Sequence, residues 1–274
     1  MSLPLSCPVR RCGLPLRRGD HAWRCDNGHT FDMARSGYVN LLQPQDRRSP
    51  DAGDSRDAIE ARARLLAAGI GGDILQSFVA VAADLAPDPE ATIVDLGCGS
   101  GDVIGSLSAW NHRQAIGIDL SIAAIERAAR RFRGATWIVA NADRRLPLLD
   151  GRVTLVVSLH ARRNPAETRR VLAPDGHLLV AVPAADDLVE LRAAVQGRRV
   201  DRDRVERVIG DHQPHFAVVR RATVREHHHL SGDQLRDVLH GTYRGARTSM
   251  ADVVDRLGAL DVTFASELLV LRSA

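Results

Sequence analysis

The sequence predicts an α/β fold, an open and mostly parallel sheet with a small metal-stapled segment at its N-terminus. Three observations predict it. Short apolar runs alternate with helical stretches from residue 92 onward, the pattern of repeated strand–helix–strand units. One such run, Ile93-Val94-Asp95-Leu96, leads straight into Gly97-Cys98-Gly99-Ser100-Gly101, with glycine at every second position. Three of the 4 cysteines fall within the first 25 residues, a spacing that suits metal better than a disulfide framework.

The parallel core is read in order. Strands are expected at 92–97, 114–119, 136–141, 153–159 and 177–182, with helices near 102–109, 122–132, 165–172 and 185–196. The helix after the fourth strand is well signalled: Asn164 can cap it, Pro165 suits the first helical position and Glu167 completes a capping box. Residues 197–212 are highly charged and read as a helix or an excursion. A strand near 216–228, helices near 231–241 and 249–258, and a strand near 262–272 close the chain. Upstream, residues 57–86 show helical periodicity rich in Ala and Leu, which predicts a helix ending before Pro87. Residues 43–57, with Pro44, Pro50 and Gly53, read as a linker.

At 274 residues the chain can bury a sizeable core, and 45% apolar with 26% charged residues is ordinary for a globular protein. No apolar run approaches the ~18 residues of a membrane span. No signal-peptide pattern opens the chain, so the expected location is cytoplasmic. All 37 basic residues are arginine, which gives every basic site a planar fork suited to phosphate. Residues 1–50 carry 8 arginines against 4 acids. Arg10, Arg11, Arg17, Arg18, Arg47 and Arg48 are either a solvated face or an RNA-phosphate surface.

The metal segment reads C-x4-C-x12-C-x3-H through Cys7, Cys12, Cys25 and His29. Four such ligands in two pairs suit a closed, structural Zn2+ site. His21 competes with His29 for the fourth place but lacks the pairing with Cys25. A segment this short and poor in apolar residues needs a staple to fold.

The run D-x-G-x-G-x-G from Asp95 resembles motif I of the class I S-adenosylmethionine (SAM) methyltransferases, a Rossmann-like fold with a mostly parallel seven-stranded sheet. Behind the cysteines, His29-Thr30-Phe31-Asp32-Met33-Ala34 and Gly37-Tyr38-Val39-Asn40-Leu41-Leu42 resemble the N-terminus of the 23S rRNA guanine-N1 methyltransferases of RlmA/RrmA type. The resemblance continues through the SAM domain. It implies a zinc-binding RNA-recognition module at 1–42, a linker at 43–57 and a methyltransferase domain at 58–274. It also implies SAM as cofactor, ribosomal RNA as partner, no membrane association, and a homodimer as a family habit.

The resemblance assigns the site residues. Asp95, Gly97, Gly99 and Gly101 form the loop under the cofactor. Asp119, with Leu120 beside it, ends the second strand where an acid accepts the ribose hydroxyls; a helix N-cap is the plainer alternative. Asp143 is placed for the adenine amino group and Ala142 for the ring. Asp187 stands where relatives often carry a histidine on the cofactor rim. Facing the transferred methyl are His160, Arg162, Arg163 and Asn164, where the family pattern is F-A-P-x-N. His160 is the expected base, with Arg163 and Asn164 beside it. Arg162 or Arg163 could hold the base edge or its phosphate. Tyr243 is a candidate stacking platform, and His227-His228-His229 alternates faces on a strand, a poor metal site.

Overall fold

A computed structural model describes residues 3–46, 53–108, 114–196, 204–242 and 258–274. Four short strands come first: β1 (Arg17–Arg18), β2 (Ala22–Arg24), β3 (Thr30–Asp32) and β4 (Val39–Asn40). Helices α1 (Arg56–Ala67) and α2 (Gly72–Leu85) follow. The alternating core is β5 (Thr92–Leu96), α3 (Asp102–Ser108), β6 (Gln114–Asp119), α4 (Ile122–Arg131), β7 (Thr136–Val139), β8 (Val153–Leu159), α5 (Pro165–Val171), β9 (Leu172–Pro183) and α6 (Val189–Gln196). The tail is α7 (Val205–His212), β10 (Phe216–Ser231), α8 (Gly232–Thr242) and β11 (Ala259–Ser273). The expected helix at 249–258 and Tyr243 lie outside the described residues, apart from Gly258.

The main sheet has the order β10-β11-β9-β8-β5-β6-β7-β4. Strands β4 to β9 pair in parallel, and β11 pairs antiparallel with both β9 and β10. The order reverses at β5, which has β6 on one side and β8 on the other. At such a switch point the carboxyl ends of the strands diverge and leave a crevice. Both faces of the central strands are covered, so β5 is buried throughout and β6 is buried up to Asp119. Strand β10, at the edge, alternates buried and exposed residues and carries its arginines outward.

Successive side chains of β5 enter opposite cores, as strand geometry requires. Ile93 packs with Phe78 and Val79 of α2 and with Val103 and Leu107 of α3. Val94 and Leu96 pack in a cluster that includes Leu5, Cys7, Leu16, Trp23 and Leu41. The cysteine-bearing segment is therefore the cover of one face of the sheet. It is stitched on at two places: Leu5 bridges Leu148, and β4 pairs with β7 through Val39↔Ile138 and Asn40↔Val139. That pairing adds an eighth strand to the seven expected.

The expected helix at 57–86 is two helices, bent by 89° at residues 68–71. Gly69 and Gly71 take left-handed φ of 81° and 83°, which breaks the helical hydrogen-bond ladder. The new N-terminus is satisfied from a distance: the buried carboxylate of Glu226 accepts from the amides of Gly71 at 3.0 Å and Ile74 at 3.3 Å. The helix expected at 185–196 begins only at Val189, because Ala184 to Leu188 form a turn tied to β11 by Ala184 N–H to Ala265 O and Leu188 N–H to Thr263 O. Among residues 204–212 the charged stretch is helical, as α7. No single described helix is long and apolar enough to cross a membrane; α1 and α2 pass that test only as a bent pair.

Candidate cofactor site and metal centre

The first site is the glycine turn after β5. Gly97, Gly99 and Gly101 have φ of 71°, 52° and 80°, conformations that L side chains rarely adopt. Their surroundings differ. A Cβ on Gly97 would lie 2.2 Å from the Ala161 methyl, and one on Gly101 would lie 2.5 Å from the Trp137 ring. Gly99 faces open space, with nothing within 4 Å of an added Cβ. The outer two glycines therefore let the loop after β8 and strand β7 close against the turn, and the middle one leaves a cradle. The turn is anchored by Gly97 and Cys98 amides donating to Ile118 O at 2.8 and 3.1 Å.

Asp119 sits under the cradle. Its carboxylate accepts from the Gly99 amide at 2.9 Å and from the Ser121 amide at 2.8 Å. The N-cap of α4 is Ser121, whose Oγ accepts from Ala124 N; that role is not Asp119's. Burial raises the Asp119 pKa, its two backbone donors oppose the rise, and the charges of Asp54 and Arg62 act on it in opposite directions. Leu120 follows it into the turn that precedes α4.

Asp95 is 1% exposed, and neither carboxylate oxygen has a hydrogen-bond partner among the described residues. Burial, reinforced by the charges of Asp119 and Asp102, pushes its pKa up to about 8. A buried acid with nothing to satisfy it marks a place for a cation or a donor. The ammonium of a methionine moiety, directly or through water, is such a group, so the residues present fit SAM.

The adenine side is partly spoken for. Asp143 holds Arg162 at 3.1 Å, an exposed pair of little energetic weight. Asn141 orients the loop through Asp143 N at 2.9 Å and the Asp46 carbonyl at 2.9 Å. Ala142 packs at the margin of the large core cluster. Asp187 is elsewhere: it lies beyond β9, accepts from the Ala265 amide at 3.1 Å, and is pushed by burial to a pKa of about 6. No contact between described residues joins it to the glycine turn.

All four residues expected to face the methyl have partners: Arg162 is held by Asp143, as above, and the other three are engaged as follows. Arg163 turns inward; its Nε donates to His212 at 3.2 Å and a terminal nitrogen to Ala161 O at 2.7 Å. Burial lowers its pKa to about 10. Asn164 caps α5 by accepting from Glu167 N at 3.3 Å, and its amide reaches Asp143 O at 3.4 Å. The Glu167 carboxylate leaves the expected capping box and holds Leu146 N and Arg170 instead. His160 has a left-handed φ of 56°, and its Nε2 lies 2.7 Å from Ser266 Oγ. Desolvation of the ring where Nε2 enters the protein, and the charge of Arg204, lower its pKa, although more than a third of the residue remains exposed. Of the triple histidine, His228 pairs with Glu226 at 2.7 Å and His229 with Asp261 at 2.8 Å.

At the metal centre, the ligand atoms of Cys7, Cys12, Cys25 and His29 all lie within 4.8 Å of one another. His29 Nδ1 is 3.5 Å from Cys7 Sγ and 3.4 Å from Cys25 Sγ; the Cys12 and Cys25 sulfurs are 3.8 Å apart. Those are the edges of a tetrahedron whose centre suits Zn–S bonds of about 2.3 Å. Arg11, at φ 66°, and Gly13, at 67°, turn the chain inside and after the C-x4-C pair; Gly28 does so before His29. Burial pushes the Cys7 thiol up to about 12, so a divalent cation is what would hold it as thiolate. His21 is not in the cluster.

The comparisons with known proteins agree with both centres. Residues 5–50 match the zinc-ribbon family described as RlmA, N-terminal, and residues 93–176 match the family described as methyltransferase domain. A Streptomyces fradiae protein named 23S rRNA (guanine(748)-N(1))-methyltransferase is 38% identical over 236 residues, 84% of this chain and 81% of its own. The chain belongs to the 23S rRNA guanine-N1 methyltransferase family. A Micromonospora griseorubida member, provisionally named for the same reaction, is 36% identical over 274 residues, 93% of this chain and 91% of its own. Among solved structures, the MccD protein superposes with a TM-score of 0.52 at 18% identity, over 72% of this chain and 96% of that one, a likeness of fold. The chain is thus a SAM-dependent methyltransferase with a structural zinc ribbon.

Sequence reasoning missed Ser266, His212 and Glu226. Each meets its partner across a long loop of chain, as in the 106 residues between His160 and Ser266, so no local spacing announces it.

Proposed function

We propose that this chain transfers the methyl group of SAM to N1 of a guanine in 23S rRNA. The observation that carries the reading is the 38% identity to the Streptomyces fradiae enzyme across 84% of the chain. SAM supplies an electrophilic methyl carbon on a sulfonium. Asp95, Gly97, Gly99, Gly101, Asp119, Leu120, Ala142 and Asp143 hold it: Asp119 by the ribose hydroxyls, Asp143 by the adenine edge, Asp95 toward the ammonium. Asp187, expected on the cofactor rim, is left out of this set because its carboxylate is bound to the Ala265 amide. His160 presents its ring to the target base, while Arg163 and Asn164 fix the 160–164 loop in which it stands.

The division of labour follows the segments: residues 1–42 form the zinc module that meets RNA, 43–57 the linker, and 58–274 the catalytic domain. A cavity of about 740 Å3 runs between module and domain, lined by Arg18 and Arg35 on one side and Arg130 and Arg133 on the other, with Tyr38 between. It opens beside the start of β7 rather than at the cofactor crevice. It suits a sugar-phosphate backbone held at a distance from the reacting base. The target base must leave its stack to reach the crevice. We place the enzyme in the cytoplasm, off the membrane, acting as a homodimer; light scattering of the purified chain tests the last point.

Mass-spectrometric mapping of methylated nucleosides in 23S rRNA, from cells with and without the gene, tests the reaction. A gene-dependent 1-methylguanosine is the expected result. Unchanged rRNA, with SAM consumed on a small molecule, overturns the substrate.

A further inference from the structure

The side chain of Ser266 is wholly buried on β11, and the residue pairs with Pro183 at the end of β9. Its hydroxyl reaches His160 Nε2 at 2.7 Å and has no other hydrogen-bond partner among the described residues. A hydroxyl carries one proton to give. If Nε2 were the protonated ring nitrogen, it would donate to Ser266, and the serine's own proton would be left buried without an acceptor. The satisfied arrangement is the reverse: Ser266 donates, Nε2 accepts, and the imidazole proton sits on Nδ1.

We infer that Ser266 fixes His160 as the Nδ1–H tautomer, and that His160 acts on the target base as a hydrogen-bond donor rather than as the acceptor of its N1 proton. The inference rests on the guanine-N1 reading of the site. His160 stands at the end of β8, beside the Ala161 that abuts Gly97, so it lies over the strand ends flanking the cofactor turn. More than a third of its surface stays open, and Nδ1 has no partner among the described residues. The unusual backbone is held by His160 N–H to Ala181 O at 3.1 Å. Desolvation and Arg204 favour the neutral ring, in which the two nitrogens have opposite roles.

The reaction balances without a protein base at this position. N1 of guanine gains the methyl carbon as the carbon–sulfur bond breaks, and the N1 proton passes to water. The electron pair that the departing proton leaves behind on N1 is shared with O6, where negative charge grows. The Nδ1–H of His160 is placed to donate there, as donors do at other developing oxyanions. His160 is then a catalytic residue and Ser266 a positioning one.

The asparagine variant separates donor from base. An Asn amide puts an N–H near the position of Nδ1, cannot take a proton at neutral pH, and tolerates a left-handed φ. His160→Asn is expected to keep kcat within about threefold of wild type, while His160→Ala loses roughly tenfold to a hundredfold with SAM affinity unchanged. Ser266→Ala lowers kcat, not KM, because it frees the ring to take the wrong tautomer. Loss of activity in His160→Asn equal to that in His160→Ala overturns the donor role. Nitrogen-15 NMR of the wild-type ring needs no variant and no substrate. A protonated Nδ1 and bare Nε2 support the assignment, and a protonated Nε2 sinks it. If wild type fails to methylate 23S rRNA at all, the substrate reading fails instead, and the NMR result stands apart from it.

Discussion

The Asp119 carboxylate and the Gly99 amide are joined by a 2.9 Å hydrogen bond across the cofactor crevice. The bond ties the middle glycine of the turn to the end of the neighbouring strand. Gly99 is thereby held at φ 52° with open space beside it.

That geometry separates two kinds of glycine mutant. Gly99→Arg fills the cradle without striking protein atoms, so SAM binding should fall at least about a hundredfold, or ~2.7 kcal/mol. The backbone strain costs on the order of 1 kcal/mol of stability. Gly101→Ala instead drives a methyl to 2.5 Å from Trp137 and 2.9 Å from Ala128. It should lower Tm by several degrees. Calorimetric titration with SAM and thermal melts of both variants check the contrast; equal SAM affinity in wild type and Gly99→Arg refutes the cradle.

Asp95 makes a prediction about pH. Its folded pKa is raised to about 8 from 3.8. Between those values the folded state binds the extra proton, so this group's contribution to stability falls as pH rises from about 4 to about 8. Asp95→Asn removes that slope. The variant should gain on the ligand-free wild type as pH rises, by up to a few kcal/mol at pH 8, and match it near pH 4. SAM should bind the variant more weakly and release fewer protons on binding. Melts across pH 5 to 8.5 and calorimetry in buffers of different ionisation enthalpy measure both effects.

These two residues were legible because the information is local. A glycine turn needs its residues adjacent, and a strand-end acid needs only the strand before it. The C-x4-C-x12-C-x3-H ligands and the Asn164 cap were legible for the same reason. The break between α1 and α2 was not: its glycines are visible at 69 and 71, but the carboxylate that stabilises the new helix end is Glu226. Arg163 shows the other limit. Its position beside the crevice follows from sequence, but its inward turn depends on His212, whose Nδ1 is occupied by Val208 O at 2.7 Å, leaving Nε2 to accept.

Glu226→Ala should expose that long-range dependence. It leaves the half-buried amide of Gly71 and the buried amide of Ile74 without their acceptor, at about 1–3 kcal/mol. For a chain of this size that is roughly a 2–10 °C fall in Tm. Hydrogen exchange should quicken at the start of α2 and leave β5 and β6 unchanged; uniform quickening would mean the carboxylate has a wider role.

The zinc ribbon is expected to act on the sheet as well as on RNA. Cys25→Ser should abolish stoichiometric zinc by elemental analysis. Because Cys25, Trp23 and Leu5 share one core with Val94 and Ile116, the loss should reach the sheet edge. The Leu41 amide, bonded to Val139 O at 3.0 Å, should exchange faster than amides of β5. A wild-type protein that carries no zinc and melts like the variant would remove the staple from the account.

The basic cleft yields a test that depends on salt. Arg18, Arg35 and Arg133 are exposed and carry no ion pair among the described residues, whereas Arg130 is held by Glu126 at 2.6 Å. Free arginines that meet phosphates release counterions, so each contact steepens the fall of log affinity with log salt by about 0.7–0.9. Replacing Arg35 and Arg133 by alanine together should flatten the slope for an rRNA hairpin by about 1.5. Affinity at low salt should drop while SAM binding stays unchanged. Arg130→Ala should change the slope less, since its charge is already shared with Glu126. Filter binding from 50 to 300 mM salt distinguishes these outcomes, and equal slopes in wild type and the double variant would mean that RNA follows another face of the protein.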